Sequence, residues 1–204
     1  EQTGKAFPDV LKEAQQLGYA EPDPTFDIEG IDTAHKIAVL ASQAFEQDIR
    51  IDDVTVGGIS RIKAAHIQWA ASRGYRIKLL AMAREIDHEV DVWVSPALVP
   101  LDGELASVGD AFNAILFDGE PIGKTMLYGR GAGQESTSSG ILSDIMTIAA
   151  AIETGGLERE RVLNWPQGHK KRRNPELSEG EFALAFEASD APGSLPTIFE
   201  RIEK

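Results

Sequence analysis

RIKLLAMAREIDHEVDVWVSPALVP, residues 76–100, sets the frame for the rest of the chain. RIKLLAMARE and EVDVWVSPALVP are β-branched and apolar, and IDH between them is short. That pattern predicts two adjacent strands joined by a tight turn. Downstream, FNAILFDGEPIGKTMLYG (112–129) predicts a second hairpin turning at Asp118-Gly119. The glycine- and hydroxyl-rich RGAGQESTSS (130–139) then opens a long helix from about Ser136 to Glu153. Upstream, a helix around Ile62 to Ser72 closes at Gly74, and RIDDVTVGGIS (50–60) is a short strand or loop. A helix from about Thr33 to Phe45 carries Ile37, Ala38, Leu40, Ala41, Ala44 and Phe45 at helical spacing, with Asp32 where an N-cap belongs. AFPDVLKEAQQLG (6–18) is another helix, stopped by Gly18. Strands in neighbouring pairs with helices between the groups predict an α+β fold. Its sheet is mostly antiparallel or mixed, with helices on one face.

The 204 residues suffice for one good core. After Gly155-Gly156 the composition turns polar, with a basic cluster from Lys170 to Arg173. FALAFEASDAPGSLPTIFERIEK (182–204) then predicts a short βα piece. The expected organisation is a main domain over 1–155, a linker over 156–178 and a C-terminal segment over 179–204.

A formal charge of −13 argues against general nucleic-acid binding, which needs a positive face. The absence of cysteine removes every thiol nucleophile and every disulfide, and it favours a reducing, cytoplasmic setting. No apolar run is long enough to span a membrane. His35, His66, His88 and His169 are scattered without metal-ligand spacing, so no metal site is expected.

GYAEPDPTFDIEGIDTAHK (18–36) carries the chemistry. Glu21, Asp23, Asp27, Glu29 and Asp32 crowd ahead of a single cation, Lys36. A lysine in the first turn of a helix opposes the macrodipole by roughly 0.3–1 kcal/mol. Asp32, four residues earlier, can offset that from the same helix face. A lysine held this way can transfer protons, and surplus carboxylates can hold a ligand ammonium. Acidic residues at a helix start, Asp-Pro turns and a surface Asp–Lys pair are the alternative. A calcium loop would need the EF-hand ligand order, which is missing. In YGRGAGQESTSS, the glycines 129, 131 and 133 let backbone approach a ligand closely, although a strand-to-helix connection explains them equally. Ser136 stands where a G-x-G-x-x-G fingerprint would place its last glycine.

EAQQLGYAEPDPTFDIEGIDTAHK resembles the signature of homoserine dehydrogenases, in its GYAEPDP…D…G.D…K order. ISRI, IKLLAMARE, FNAIL and YGRGAG continue the resemblance over about residues 6 to 153. It implies an NAD- or NADP-dependent oxidoreductase that interconverts L-homoserine and L-aspartate 4-semialdehyde in threonine and methionine biosynthesis. It further implies Lys36 as general acid/base and Asp32 beside it. Glu21 would bind the substrate ammonium, with Asp27 and Tyr19 lining the pocket. Gly131 and Gly133 would lie near the nicotinamide end of the cofactor. GAGQESTS lacks the proline of the familiar pattern. A homodimer is the expected assembly.

No strand–GxGxxG–helix unit precedes Phe7, so the main dinucleotide-binding domain is expected outside this chain. The C-terminal segment resembles the opening of an ACT domain. A thiol-acylating semialdehyde or glyceraldehyde-phosphate dehydrogenase is disfavoured by the lack of cysteine. A non-catalytic amino-acid-binding or regulatory module is the alternative, and it would need the carboxylates but not Lys36.

Overall fold

The computed structural model describes residues 7–16, 22–110, 112–131, 133–154, 173–174 and 180–185. The elements in chain order are α1 (Phe7–Gln16), α2 (Thr25–Ile28), α3 (Ile31–Phe45), β1 (Thr55–Val56), α4 (Ala64–Ser72), β2 (Tyr75–Ile86), β3 (Glu89–Pro100), β4 (Phe112–Gly119), β5 (Gly123–Arg130) and α5 (Gln134–Glu153). Short 3₁₀ turns occupy Ile51–Asp53 and Glu104–Ser107. The architecture is α+β, as the strand pairing predicts.

β2 and β3 pair antiparallel over their whole length, from Tyr75↔Pro100 to Ile86↔Glu89. Asp87 and His88 make the turn, both with positive φ (53° and 64°), as a two-residue hairpin connection requires. β1 adds to the other edge of β3 in parallel, giving the order β1-β3-β2. β4 and β5 form a separate antiparallel hairpin. So the sheet is mixed, and among the described residues its only parallel pairing is the two-residue β1.

The core is where α3 lies on this sheet. Ala34, Ala38 and Ala41 are buried at i, i+4 and i+7 and cluster with Val90, Val92 and Val94. Alternate residues of a strand share a face, so the three valines form one stripe. Ala83 and Ala81, their cross-strand partners at Val92 and Val94, pack on the same cluster. Small residues on the helix let it approach a valine-covered sheet closely. Ser42, fully buried, ties the end of α3 to the returning chain: its Oγ lies 2.7 Å from the Ala38 carbonyl and accepts the Ile49 N–H at 3.0 Å. The far face of the β2–β3 pair carries a cross-strand ion pair. Arg84 Nε lies 3.0 Å from Asp91 Oδ2, whose side chain is 5% exposed.

Four expectations need adjustment. The second hairpin does not turn at Asp118-Gly119. Its ladder runs on to Gly119↔Gly123, and Pro121, with no N–H to offer a ladder, sits in the three-residue connection. α3 starts at Ile31 rather than Thr33. α5 starts at Gln134, two residues early, because Gly133 (φ 116°) makes the entry. Residues 180–185, the opening of the expected C-terminal βα piece, form no strand. The rest of that piece, most of the 156–178 linker and Gly18 lie outside the described residues.

Candidate functional site

The acidic stretch folds as a corner, α2 followed at once by α3. Asp23 opens it. Its Oδ1 accepts the Thr25 hydroxyl at 2.6 Å and the Thr25 backbone N–H at 3.1 Å. The hydroxyl first, then the N–H, holds the Asp23 carboxyl below its ordinary 3.8, because both donors favour the charged form. This carboxylate is therefore engaged by its own turn. The Pro24 carbonyl accepts the N–H groups of Asp27 and Ile28, closing the single turn of α2. Asp27 is exposed on it.

Gly30 makes the passage into α3. Its φ is +78°, in the left-handed region, and a Cβ there would lie 3.0 Å from Val94 Cγ1. A side chain at this position would be strained in backbone and crowded against the core at once. The glycine thus seats the start of α3 on the centre of β3.

Gly30, not Asp32, occupies the N-cap, and no side chain caps the helix. Asp32 is the second residue inside the helix. Its negative charge still suits the positive end of the dipole. Lys36 consequently falls in the second turn, one turn beyond Asp32 and outside the turn where the dipole acts most strongly. Lys36 Nζ lies 2.5 Å from Asp32 Oδ2. The two side chains are 58% and 44% exposed. The pair is built on the most firmly packed helix, because Ala34 and Ala38 beneath it are in the core. A short, charge-assisted hydrogen bond holds an ammonium group at the surface.

The structure therefore brings Asp32 and Lys36 together. No hydrogen bond or ion pair joins Asp27 to Lys36. Tyr19 and Glu21 lie outside the described residues. Gly131 and Gly133 sit at the other end of the molecule's sequence logic, between β5 and α5. There, Gly133 precedes the helix, and its carbonyl accepts the Thr137 N–H at 3.1 Å and the Ser136 hydroxyl at 3.0 Å. The side chain of Asn113 lies across Gly131, where a Cβ would overlap it. FNAIL belongs to the family resemblance, but nothing in the local pattern singles out this asparagine. Its one signal is register: Asn113 pairs with Gly129, and the diagonal neighbour is Gly131.

Among the described residues, no group of three or more His, Asp or Glu side chains is arranged to hold a metal ion, and no helix is long and apolar enough to cross a membrane. α5 is nearly all exposed: Ile141, Leu142, Ile145 and Met146 present 55–71% of their surface. A shallow groove along it is lined by Glu135, Ser139, Leu142, Met146 and Ala150. Lys36 and Asp32 form no part of that groove.

The family model described as homoserine dehydrogenase matches residues 1–146. A homoserine dehydrogenase of Pseudomonas aeruginosa is 40% identical over 199 residues, covering 96% of this chain and 46% of that protein. One of Corynebacterium glutamicum is 44% identical over 159 residues, covering 76% of this chain and 36% of that protein. Among solved structures, a homoserine dehydrogenase from Thiobacillus denitrificans superposes with a TM-score of 0.79 at 39% identity, over 84% of this chain and 41% of its own. A hyperthermophilic archaeal homoserine dehydrogenase mutant, in complex with NADPH, gives 0.52 at 28% identity, over 70% of this chain and 40% of its own. The chain spans about half the length of the curated relatives it matches.

Proposed function

The chain belongs to the homoserine dehydrogenase family, and from that premise we propose that it supplies the substrate-binding and proton-transfer part of an NAD- or NADP-dependent enzyme. That enzyme interconverts L-homoserine and L-aspartate 4-semialdehyde, on the route to threonine and methionine. The observation that carries the proposal is the 2.5 Å contact between Lys36 Nζ and Asp32 Oδ2 at the surface of α3.

In aldehyde reduction, the Lys36 ammonium donates a hydrogen bond to the aldehyde oxygen and polarises it. It then gives up the proton that becomes the homoserine hydroxyl proton. In the reverse direction the neutral amine removes that proton, a step that typically contributes about 10²–10⁴-fold. Asp32 aims the lysine and compensates its charge. Glu21 holds the substrate ammonium, and Asp27 and Tyr19 complete the pocket.

A nicotinamide cofactor, when bound, supplies or accepts the hydride. The glycines that flank the turn between β5 and α5 support a close approach of its nicotinamide end. Nothing would meet a Cβ at Gly129, and Gly133 leaves backbone open beside the first turn of α5. Gly131 and Gly133 are the proposed cofactor-facing residues. The complex of the archaeal relative with NADPH supports a nicotinamide dinucleotide as the class.

The exposed apolar face of α5 supports an assembly with further protein, and a homodimer is the proposed form. A chain free of cysteine suits the proposed cytoplasmic setting. The proposed organisation is a catalytic part over 1–155, a linker over 156–178 and a partial ACT-like segment over 179–204. The test is product identification: the full-length gene product is incubated with L-aspartate 4-semialdehyde and NADH or NADPH. Stoichiometric L-homoserine supports the reading. Substrate recovered unchanged with both cofactors contradicts it.

A further inference from the structure

We propose that the cleft between the β2–β3 pair and the β4–β5 hairpin binds a free α-amino acid with an aliphatic side chain. This site goes beyond the functional reading above and does not depend on it.

The cleft lies on the side of the sheet away from α3. Leu79, Ala81 and Val94 pack on the α3 side. Leu80, between the first two, and Val99, opposite Arg76, therefore belong to the other side. Arg76 and Lys78 share that side and hold the 3₁₀ turn Glu104–Ser107 against it. Arg76 donates to the Ala106 carbonyl at 2.6 Å, and Lys78 donates to the Val108 carbonyl. Gly103, at the entrance to the turn, lies against Val99. Among the described residues β4 and β5 pair only with each other, and a cleft of about 470 Å³ remains between the hairpin and the sheet. Its apolar walls are Leu80 and Val99 from the sheet, Leu105 from the turn and Leu116 from β4. A volume of this size suits a small organic ligand.

The rim carries both signs of charge. Lys124 comes from the hairpin, on the same face of it as Leu116, and Glu104 comes from the turn. Lys124 Nζ and Glu104 Oε1 are 3.8 Å apart, beyond hydrogen-bond distance, and both side chains are more than half exposed. A pair so long and so exposed is held weakly, so each group can exchange it for a closer partner. Asp102, also at the rim, adds a second carboxylate.

An α-amino acid supplies that exchange. Its ammonium donates to Glu104, its carboxylate accepts from Lys124, and its side chain lies among the four apolar residues. It brings no net charge, so the compensation within the rim is kept. A lone anion would meet Asp102 and Glu104, and a lone cation would meet Lys124. The rim thus discriminates against both.

The test is NMR of the full-length gene product with labelled leucine and valine methyls, titrated with L-leucine. The signals of Leu80, Val99, Leu105 and Leu116 should shift together and saturate. Isocaproate, which lacks the ammonium, and isoamylamine, which lacks the carboxylate, should each bind about tenfold more weakly, the worth of one charge-assisted hydrogen bond. Lys124→Met should weaken L-leucine by the same factor and leave isoamylamine unchanged. Glu104→Gln should weaken L-leucine and leave isocaproate unchanged, and either variant serves if the other does not fold. The absence of a saturable shift at these four residues overturns the assignment. So does L-leucine binding that the substitutions leave intact. Equal binding of all three ligands also overturns it, since that marks an apolar cleft without charge recognition. None of these outcomes bears on the dehydrogenase reading, whose test is product formation.

Discussion

Lys36 Nζ and Asp32 Oδ2 are 2.5 Å apart, one helical turn from each other on α3. The contact lies on the outward side of a helix whose inward side, at Ala34, Ala38 and Ala41, is buried against β3. The proposed proton-transfer pair and the core contacts thus lie on opposite faces of one element, so substitutions on the two faces should have separable effects.

The pair itself contributes little to folding. Exposed ion pairs give about 0.2–1 kcal/mol, which shifts the melting temperature of a chain of this size by under about 4 °C. Lys36→Met and Asp32→Asn should each melt within that margin of the unsubstituted protein while losing activity. A calorimetric melt that drops by 10 °C or more would assign the pair a structural role instead.

Gly30 lies on the structural side. Gly30→Ala must hold an alanine at φ +78° with its Cβ 3.0 Å from Val94 Cγ1. A left-handed residue costs about 1–2 kcal/mol, and the crowding adds to it. Urea denaturation should show a loss of about 1–3 kcal/mol. Equal stability would mean that α3 can start elsewhere.

Asp23 gives a pH signature. Its carboxyl is held below 3.8 by the Thr25 hydroxyl and then the Thr25 N–H. A depressed folded value means that the stabilising contribution is fully present above 3.8 and fades as pH falls through the folded value. An NMR titration should place the Asp23 midpoint below 3.8, and Thr25→Val should raise it. A midpoint unmoved by Thr25→Val would remove the hydroxyl as the cause.

The sequence made the hairpin over residues 75–100 legible because two long apolar runs and a short polar gap admit few other readings. The helix ending at Phe45 was equally clear from its spacing. Its start was not. Asp32 looks like a cap from its type alone, whereas the need for glycine at position 30 comes from Val94, which is 64 residues away. The turn at Asp118-Gly119 failed for a similar reason: the dipeptide favours a turn, but the ladder extends to Gly123. In the candidate site, spacing on one helix was enough to join Asp32 with Lys36. The Asn113–Gly131 contact depends on strand register, which local pattern does not specify, so only the fold could reveal it.

The central claim is that Lys36 moves the proton, and the most direct measurement is nicotinamide absorbance. The full-length gene product is mixed with L-homoserine and NAD or NADP, alongside its Lys36→Ala variant. A homoserine-dependent rise is expected, falling about 10²–10⁴-fold in the variant. A variant with near-normal activity, or no rise with either cofactor, would contradict it.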